Sequence, residues 1–239
     1  MHPAIRIHQI YYDPTQRPSL DPAFVPLDNT RNERPEWCEY HIFRTQYLAG
    51  ACEPGQLTGF MSWKFRPKTR MTGGQFVRFI GRNPGHDVYF INPYPKSNST
   101  FRNVWAQGEH FHPGLRKIAQ SCFDAAGIEL ALTGKHGDDI TCYCNYWVGT
   151  KAFWDLYMSY AERLFDAIEH RLDAVVAARL HARAHYDGNA SFLPFLMERL
   201  FTTILARHVE LSVASLRCDS WWRRRLAHSV ILRTPSTSP

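Results

Sequence analysis

The pattern of apolar and polar positions divides the chain into a strand-rich first part and a helix-rich second part. The run "AIRIHQIYY" is dense in β-branched and aromatic residues and is closed by "DPTQRPSLDP", so it reads as a strand followed by a turn-rich loop. "FVPLDNT" is a second short extended piece, followed by the polar loop "RNERPE". In "WCEYHIFRTQYLAG", Trp37, Tyr40, Ile42, Phe43, Tyr47 and Leu48 recur at helical spacing, and Gly50 suits the helix end. "LTGFMSWKF" reads as a buried strand ended by Pro67. "TGGQFVRFIGRN" predicts a short helix with Phe76, Val77, Phe79 and Ile80 inward, and "HDVYFINPYP" a further strand. Leu115, Ile118, Ala119 and Cys122 predict a helix over about 114–127, with Gly127 as its stop; "ITCYCNYWVGT" alternates as a strand.

After Thr150 the period changes. Phe153, Tyr157, Tyr160, Leu164, Ile168, Leu172 and Val175 predict one long amphipathic helix, with Thr150 as its N-cap. "AHYDGNAS" breaks it, and "FLPFLMERLFTTILARHVEL" starts a second helical segment. Strands alternating with helices, then helices alone, predict an α/β fold with a mostly parallel sheet over residues 1–150. A helical C-terminal section over 151–232 would pack on it within one domain, and the polar tail 233–239 would be disordered.

Composition supports a packed core, with 44% apolar and 14% aromatic residues and a mean hydropathy of −0.37. No run reaches the roughly eighteen apolar residues a spanning helix needs. The start, "MHPAIRIHQIYYDPTQRP", lacks the apolar core of a signal peptide, so a cytoplasmic location is expected. The net charge of +6 (pI about 9.1) is concentrated in "WWRRRLAHSVILR", which holds four arginines and no acid. The rest is close to neutral, and nucleic acid is not an expected partner. The six cysteines form no C-x-x-C, so they read as free, mostly buried thiols of a cytosolic protein rather than a zinc site.

The chain has no P-loop, no G-x-G-x-x-G after its first strand and no G-x-S-x-G elbow. Three constellations remain. Asp28 and Asn29 end an extended piece, where open α/β sheets bind ligands; an Asx turn would use the same residues. In "SWKFRPKTR", Lys64, Arg66, Lys68 and Arg70 alternate after an apolar strand. On an extended segment they would face one way and hold a pyrophosphate, with Trp63 stacking on a base or sugar; the alternative is a solvated edge with Trp63 in the core. In "NVWAQGEHFHPGL", Glu109, His110 and His112 fit either metal ligands or an acid–base pair, and Pro113 also fits the first position of a helix, with Gly108 in a turn. A cupin-type site would need a downstream carboxylate that "PGLRK" does not provide, and no H-E-x-x-H is present.

The order "WCEYHIFRTQYLAG", "LTGFMSWKF", "HDVYFINPYP", "CNYWVGTKAFWDLYMSYAERLFDAIEHRL", "FLPFLMERLFTTILARH" resembles a family of bacterial polysaccharide glycosyltransferases with a GT-A-like fold, over roughly residues 37–210. The family has a glutamate-containing helix, a strand ending in H-Y-R-R, an asparagine- and lysine-containing stretch, and an E-R-L helix. Glu39 lies on the helix glutamate; Trp63, Lys64 and Arg66 lie on the H-Y-R-R run, of which the histidine and one arginine are not kept. Asn145 and Lys151 lie on the later stretch, with Phe153 and Tyr157 as its aromatics, and Glu198 and Arg199 lie on the E-R-L pair. The resemblance implies a sheet that holds a nucleotide sugar at its strand ends. It also implies a divalent cation, Mn2+ or Mg2+, held by a D-x-D. This chain has no D-x-D, and the adjacent Asp138 and Asp139 are the nearest candidates; without a metal, Lys64, Arg66 and Lys68 would neutralise the diphosphate.

The resulting expectation is a hexosyltransferase moving a sugar from a nucleotide-diphosphate donor to a polysaccharide or lipid-linked acceptor. Asp28 and Asn29 would contact the nucleotide; Glu39, Trp63, Lys64, Arg66, Lys68 and Asn145 would line the substrate site. Glu109 would be the acceptor base, oriented by His110 or His112. The basic C-terminal segment would touch the inner membrane peripherally, or else pack as a helix with a solvated arginine face. The rival expectations are a non-catalytic sugar- or partner-binding protein, and a metal-dependent enzyme using His110 and His112.

Overall fold

In a computed structural model the protein is described over residues 3–184, 190–218 and 228–235. Seven strands form one mixed sheet: β1 (Ala4–Tyr11), β2 (Val25–Asp28), β3 (Gln56–Ser62), β4 (Val88–Asn92), β5 (Trp147–Gly149), β6 (Val213–Cys218) and β7 (His228–Arg233). Their order is β2-β1-β3-β5-β4-β6-β7. The pairs β1–β2, β1–β3 and β4–β6 are parallel, whereas β5 is antiparallel to both β3 and β4, and β7 is antiparallel to β6. The expected mostly parallel sheet is thus corrected to a mixed one.

The inner strands β3, β4 and β5 are buried on both faces. On one face pack α1 (Glu39–Leu48), α5 (Val104–Phe111), α6 (Leu115–Ala126), α7 (Lys151–His170), α8 (Ala174–His181) and α9 (Phe192–Arg207), around the larger core. The other face is covered by α2 (Phe65–Thr69) and α3 (Gly73–Arg82), through Phe65, Met71, Phe76, Phe79 and Ile80. A short α4 (Pro95–Thr100) follows β4. The three-residue β5 is anchored by Trp147, whose ring lies 4.3 Å from Trp154 and 5.1 Å from Phe201. Gly59 on β3 lets it approach: a Cβ there would come within 2.7 Å of the Trp147 carbonyl oxygen.

Several local expectations change. "SWKFRPKTR" is not extended beyond Ser62: Phe65–Thr69 is a helical turn, and Pro67 sits in its first turn, where no intrahelical donor is lost. Its cations therefore diverge; Lys64, Arg66 and Arg70 are exposed and Lys68 is half-buried. "ITCYCNYWVGT" is a strand only from Trp147 on. The long helix stops at His170, and Asp173 caps a separate α8 by accepting from Val175 N at 2.8 Å. The C-terminal section is not wholly helical, because β6 and β7 complete the sheet. Of "WWRRRLAHSVILR", residues 221–227 lie outside the described residues, as do 185–189 of "AHYDGNAS". His228–Arg233 is an edge strand rather than a helix, and Arg233 is no part of a tail: its guanidinium donates to the carbonyls of Leu205, His208 and Leu211. No helix among the described residues is long and apolar enough to cross a membrane.

The stretch "NVWAQGEHFHPGL" is mostly a helix. Asn103 caps α5 by accepting from Ala106 N at 2.7 Å. Pro113 is not a first helical position; Gly114, with φ of +97°, precedes Leu115 as the cap of α6. Gly108 makes no turn. It faces the guanidinium of Arg199 on α9, and a Cβ there would meet Arg199 Nε and, at 2.8 Å, Leu115 Cδ2. A Gly→Ala change inside a helix normally gains up to about 1 kcal/mol. Gly108→Ala is instead expected to lower stability by about 1–3 kcal/mol through overpacking, read as a lower urea midpoint with an unchanged slope.

Candidate active site

The carboxyl ends of β1, β2, β3 and β4 lie along one edge of the sheet, and the segment leading into antiparallel β5 arrives at the same edge. The chain leaves β1 toward β2 and returns through α1 to β3 on its other side, so the order reverses beside β1. Such a reversal opens a crevice at the strand ends.

The groups gathered there are polar and half-buried. Lys68 Nζ, at the end of α2, approaches Cys144 Sγ at 3.6 Å. Burial alone would lower the Lys68 ammonium, but the surrounding Cys144, Glu198, Tyr94 and Glu39 outweigh it and raise it above its ordinary value. It therefore stays charged at neutral pH. Glu198 projects from the second turn of α9 with 27% of its side chain exposed. Desolvation pushes it up to about 7; Arg199 and Lys68 oppose the shift, and Glu39 adds to it. Glu39 opens α1 and acts on Lys68, Glu198, Tyr12 and Tyr146 alike. Tyr146 Oη lies 3.2 Å from Ser62 Oγ. Tyr12 Oη and Asn145 Oδ1 are buried without a hydrogen-bond partner among the described residues. Unpaired polar atoms at a strand end are the places a ligand would satisfy.

Arg199 fixes the back of this pit. Its side chain is 5% exposed. Nε donates to the Val104 carbonyl at 2.9 Å, Nη1 to the Phe195 carbonyl at 2.8 Å and Nη2 to Gln107 Oε1 at 2.5 Å. Nη1 is also 4.0 Å from Glu198 Oε1. Helix α5 thus holds the cation that faces the carboxyl group.

Beside the pit, past the end of β2, lies a cavity of about 400 Å³ lined by Asp28, Asn29, Arg31, Glu33, His41 and Gln46. Its size is at the lower end for small-ligand sites. Asp28 accepts from Thr30 N at 2.9 Å and from Tyr11 Oη at 2.8 Å, and these bonds hold it below the usual carboxylate range. It is fixed and ionised at the rim. Helix α1 serves both places, with Glu39 at the pit and His41 and Gln46 at the cavity.

Of the expected site residues, Glu39 and Lys68 lie within electrostatic reach of each other at this edge, while Asp28 and Asn29 line the cavity. Trp63 is half-buried at the end of β3 under the Lys64 ammonium, 5.3 Å from its ring centre; Lys64 and Arg66 face solvent. Lys151 lies at the opposite edge, at the start of α7, paired with Asp155. The trio Glu109, His110 and His112 is not at this edge as a unit. Both Glu109 oxygens accept backbone N–H groups at the start of α6, from Gly114 at 2.8 Å and Arg116 at 2.9 Å. His110 is exposed against Phe101. His112 is buried against Phe195 at 3.7 Å, and burial together with Arg199 lowers it to about 4, so it is neutral at pH 7. Glu198 is the group that sequence reasoning left out of the site. Its signal was an acid–base pair inside an otherwise apolar helix.

Of the adjacent candidates Asp138 and Asp139, the first is already engaged. Asp138 accepts from Asn98 at 2.6 Å and from Arg217 at 2.5 Å, so its oxygens are already taken by donors. Among the described residues no three His, Cys, Asp or Glu side chains gather into a metal-holding group. No family model, curated protein or solved structure matches the chain.

Proposed function

We propose that the protein is a glycosyltransferase that moves a sugar from a nucleotide-diphosphate donor to a hydroxyl of a saccharide or lipid-linked acceptor. The observation that carries this reading is that, at the sheet's carboxyl edge, a charged Lys68 lies within electrostatic reach of a solvent-reachable Glu198 whose pKa is about 7. A carboxyl group poised near neutrality suits general-base work on a hydroxyl. The strand reversal beside β1 and the resemblance to GT-A-like enzymes support the same assignment.

In this reading the nucleotide lies along the Asp28–Asn29 cavity and its diphosphate reaches Lys68. Glu198 accepts the acceptor hydroxyl proton as the oxygen attacks the anomeric carbon. The bond from that carbon to the phosphate oxygen breaks, and Lys68 stabilises the charge left on the nucleoside diphosphate. Glu198 replaces Glu109 as the base, because Glu109 is engaged by the backbone of α6.

The test is a panel of nucleotide-diphosphate sugars, with and without manganese, read by thermal shift and then by release of the nucleoside diphosphate. At least one donor should raise the melting temperature and be turned over. Lys68→Met should weaken its binding about 10- to 100-fold, the loss of one charge-assisted contact. A flat panel would overturn the proposal, and binding without turnover would favour a non-catalytic sugar-binding protein.

A further inference from the structure

We infer that the outer face of α2 and α3, together with the β7 edge beside it, docks on the surface of an anionic phospholipid bilayer. The inference is independent of the transferase reading. From Pro54 to His86 the chain holds six Lys or Arg residues (64, 66, 68, 70, 78 and 82) and no Asp or Glu. Lys68 turns to the pit, and the other five are exposed. Among the described residues none of these five forms an ion pair with a carboxylate, although seven Lys or Arg pairs of that kind occur elsewhere. The acidic side chain that touches this layer, Asp21, is buried and accepts from Gly73 N at 2.7 Å, so it does not offset the surface charge.

Both helices bury their apolar residues in the same core, which leaves Arg78 and Arg82 on the outer face of α3. Arg78 and Arg82 are one helical turn apart on α3. A groove of about 340 Å³ runs between α3 and β7, lined by Met71, Phe79, Leu216 and Val230 together with Gln75, Arg78, Arg82 and Asn83. Val230 pairs with Leu216 and Leu232 with Ala214, whose side chains belong to the α3-side core. Val230 and Leu232 therefore point to that face, and they remain 48% and 51% exposed.

Arginines without a carboxylate partner among the described residues, beside the exposed aliphatics Val230 and Leu232, match a bilayer surface, with anionic headgroups on the cations and acyl carbon against the aliphatics. A polyanion such as nucleic acid would use the charge but leave the aliphatics unused.

The experiment is co-sedimentation of the full chain with vesicles of phosphatidylcholine alone, or with about one-third phosphatidylserine, a composition that sets the surface potential. Binding should require phosphatidylserine and fall with added salt. Arg78→Gln with Arg82→Gln should weaken it roughly 25-fold, about fivefold per cation. Arg116→Gln with Lys117→Gln, the same charge change on exposed positions of α6, should leave affinity unchanged. Val230→Ser with Leu232→Ser should remove the salt-resistant part of binding, and circular dichroism checks that each variant is folded. Equal sedimentation without phosphatidylserine, equal loss in the α6 control, or equally tight binding of single-stranded DNA would each overturn the inference.

Discussion

Glu198→Gln is expected to lower turnover about 100- to 10,000-fold while making the protein more stable above neutral pH. The second effect follows from linkage. The folded-state pKa of Glu198, about 7, lies above its ordinary value of 4.5. The folded protein therefore binds this proton more tightly than the unfolded chain. The stabilisation is fully present below about 4.5 and is lost as pH rises through 7. At pH 8 the ionised carboxylate is a cost that glutamine does not carry. Allowing for its 27% exposure, the variant should gain on the order of 1–3 kcal/mol at pH 8, or a few degrees in Tm. Near pH 4 the two proteins should unfold alike, because both then carry a neutral side chain. Urea titrations at the two pH values read this difference, and a variant equally or less stable at pH 8 would contradict the environment assigned to Glu198.

Arg199→Met should be the most damaging single change. It removes the donors to the Val104 carbonyl and to Gln107, which tie α5 to α9, and the donor to the Phe195 carbonyl within α9, and leaves these acceptors without it. The expected loss is about 3–5 kcal/mol, or roughly 10 °C in Tm. Arg199→Lys should keep part of the stability but not the forked contacts. Both variants bear on the site through Glu198. Arg199 opposes its upward shift, so the acid limb of any pH–rate profile should move upward in the methionine variant and stay near wild type in the lysine variant. A purely structural arginine would change the amount of folded protein and leave the profile in place.

These two residues show where the sequence was informative and where it was not. The end of β2 was legible: the strand stops at Asp28, inside "PLDNT", and Asp28 and Asn29 line a cavity. The period of α7 and its Thr150 cap were legible because amphipathic spacing and capping are local. The sheet's mixed character was not, because β5 is three residues long and its direction is set by packing of Trp147 against α7 and α9. Nor was the identity of the poised carboxyl group. Glu109 sits in a histidine-rich stretch that looks chemical, yet its oxygens serve the next helix. Glu198 sits in an apolar helix that looks structural, yet it opens on the strand ends. The difference lies in which face of each helix meets the sheet edge. Gly108 shows the same limit: its missing side chain makes room for an arginine ninety-one positions away in sequence.

The most direct measurement is the titration of Glu198 itself, followed by carbon-13 NMR of glutamate side-chain carboxyls, with Glu198→Gln assigning the resonance. The carboxyl signal should titrate with a midpoint near 7 in the wild-type protein. A midpoint in the ordinary glutamate range, about 4 to 5, would contradict the account.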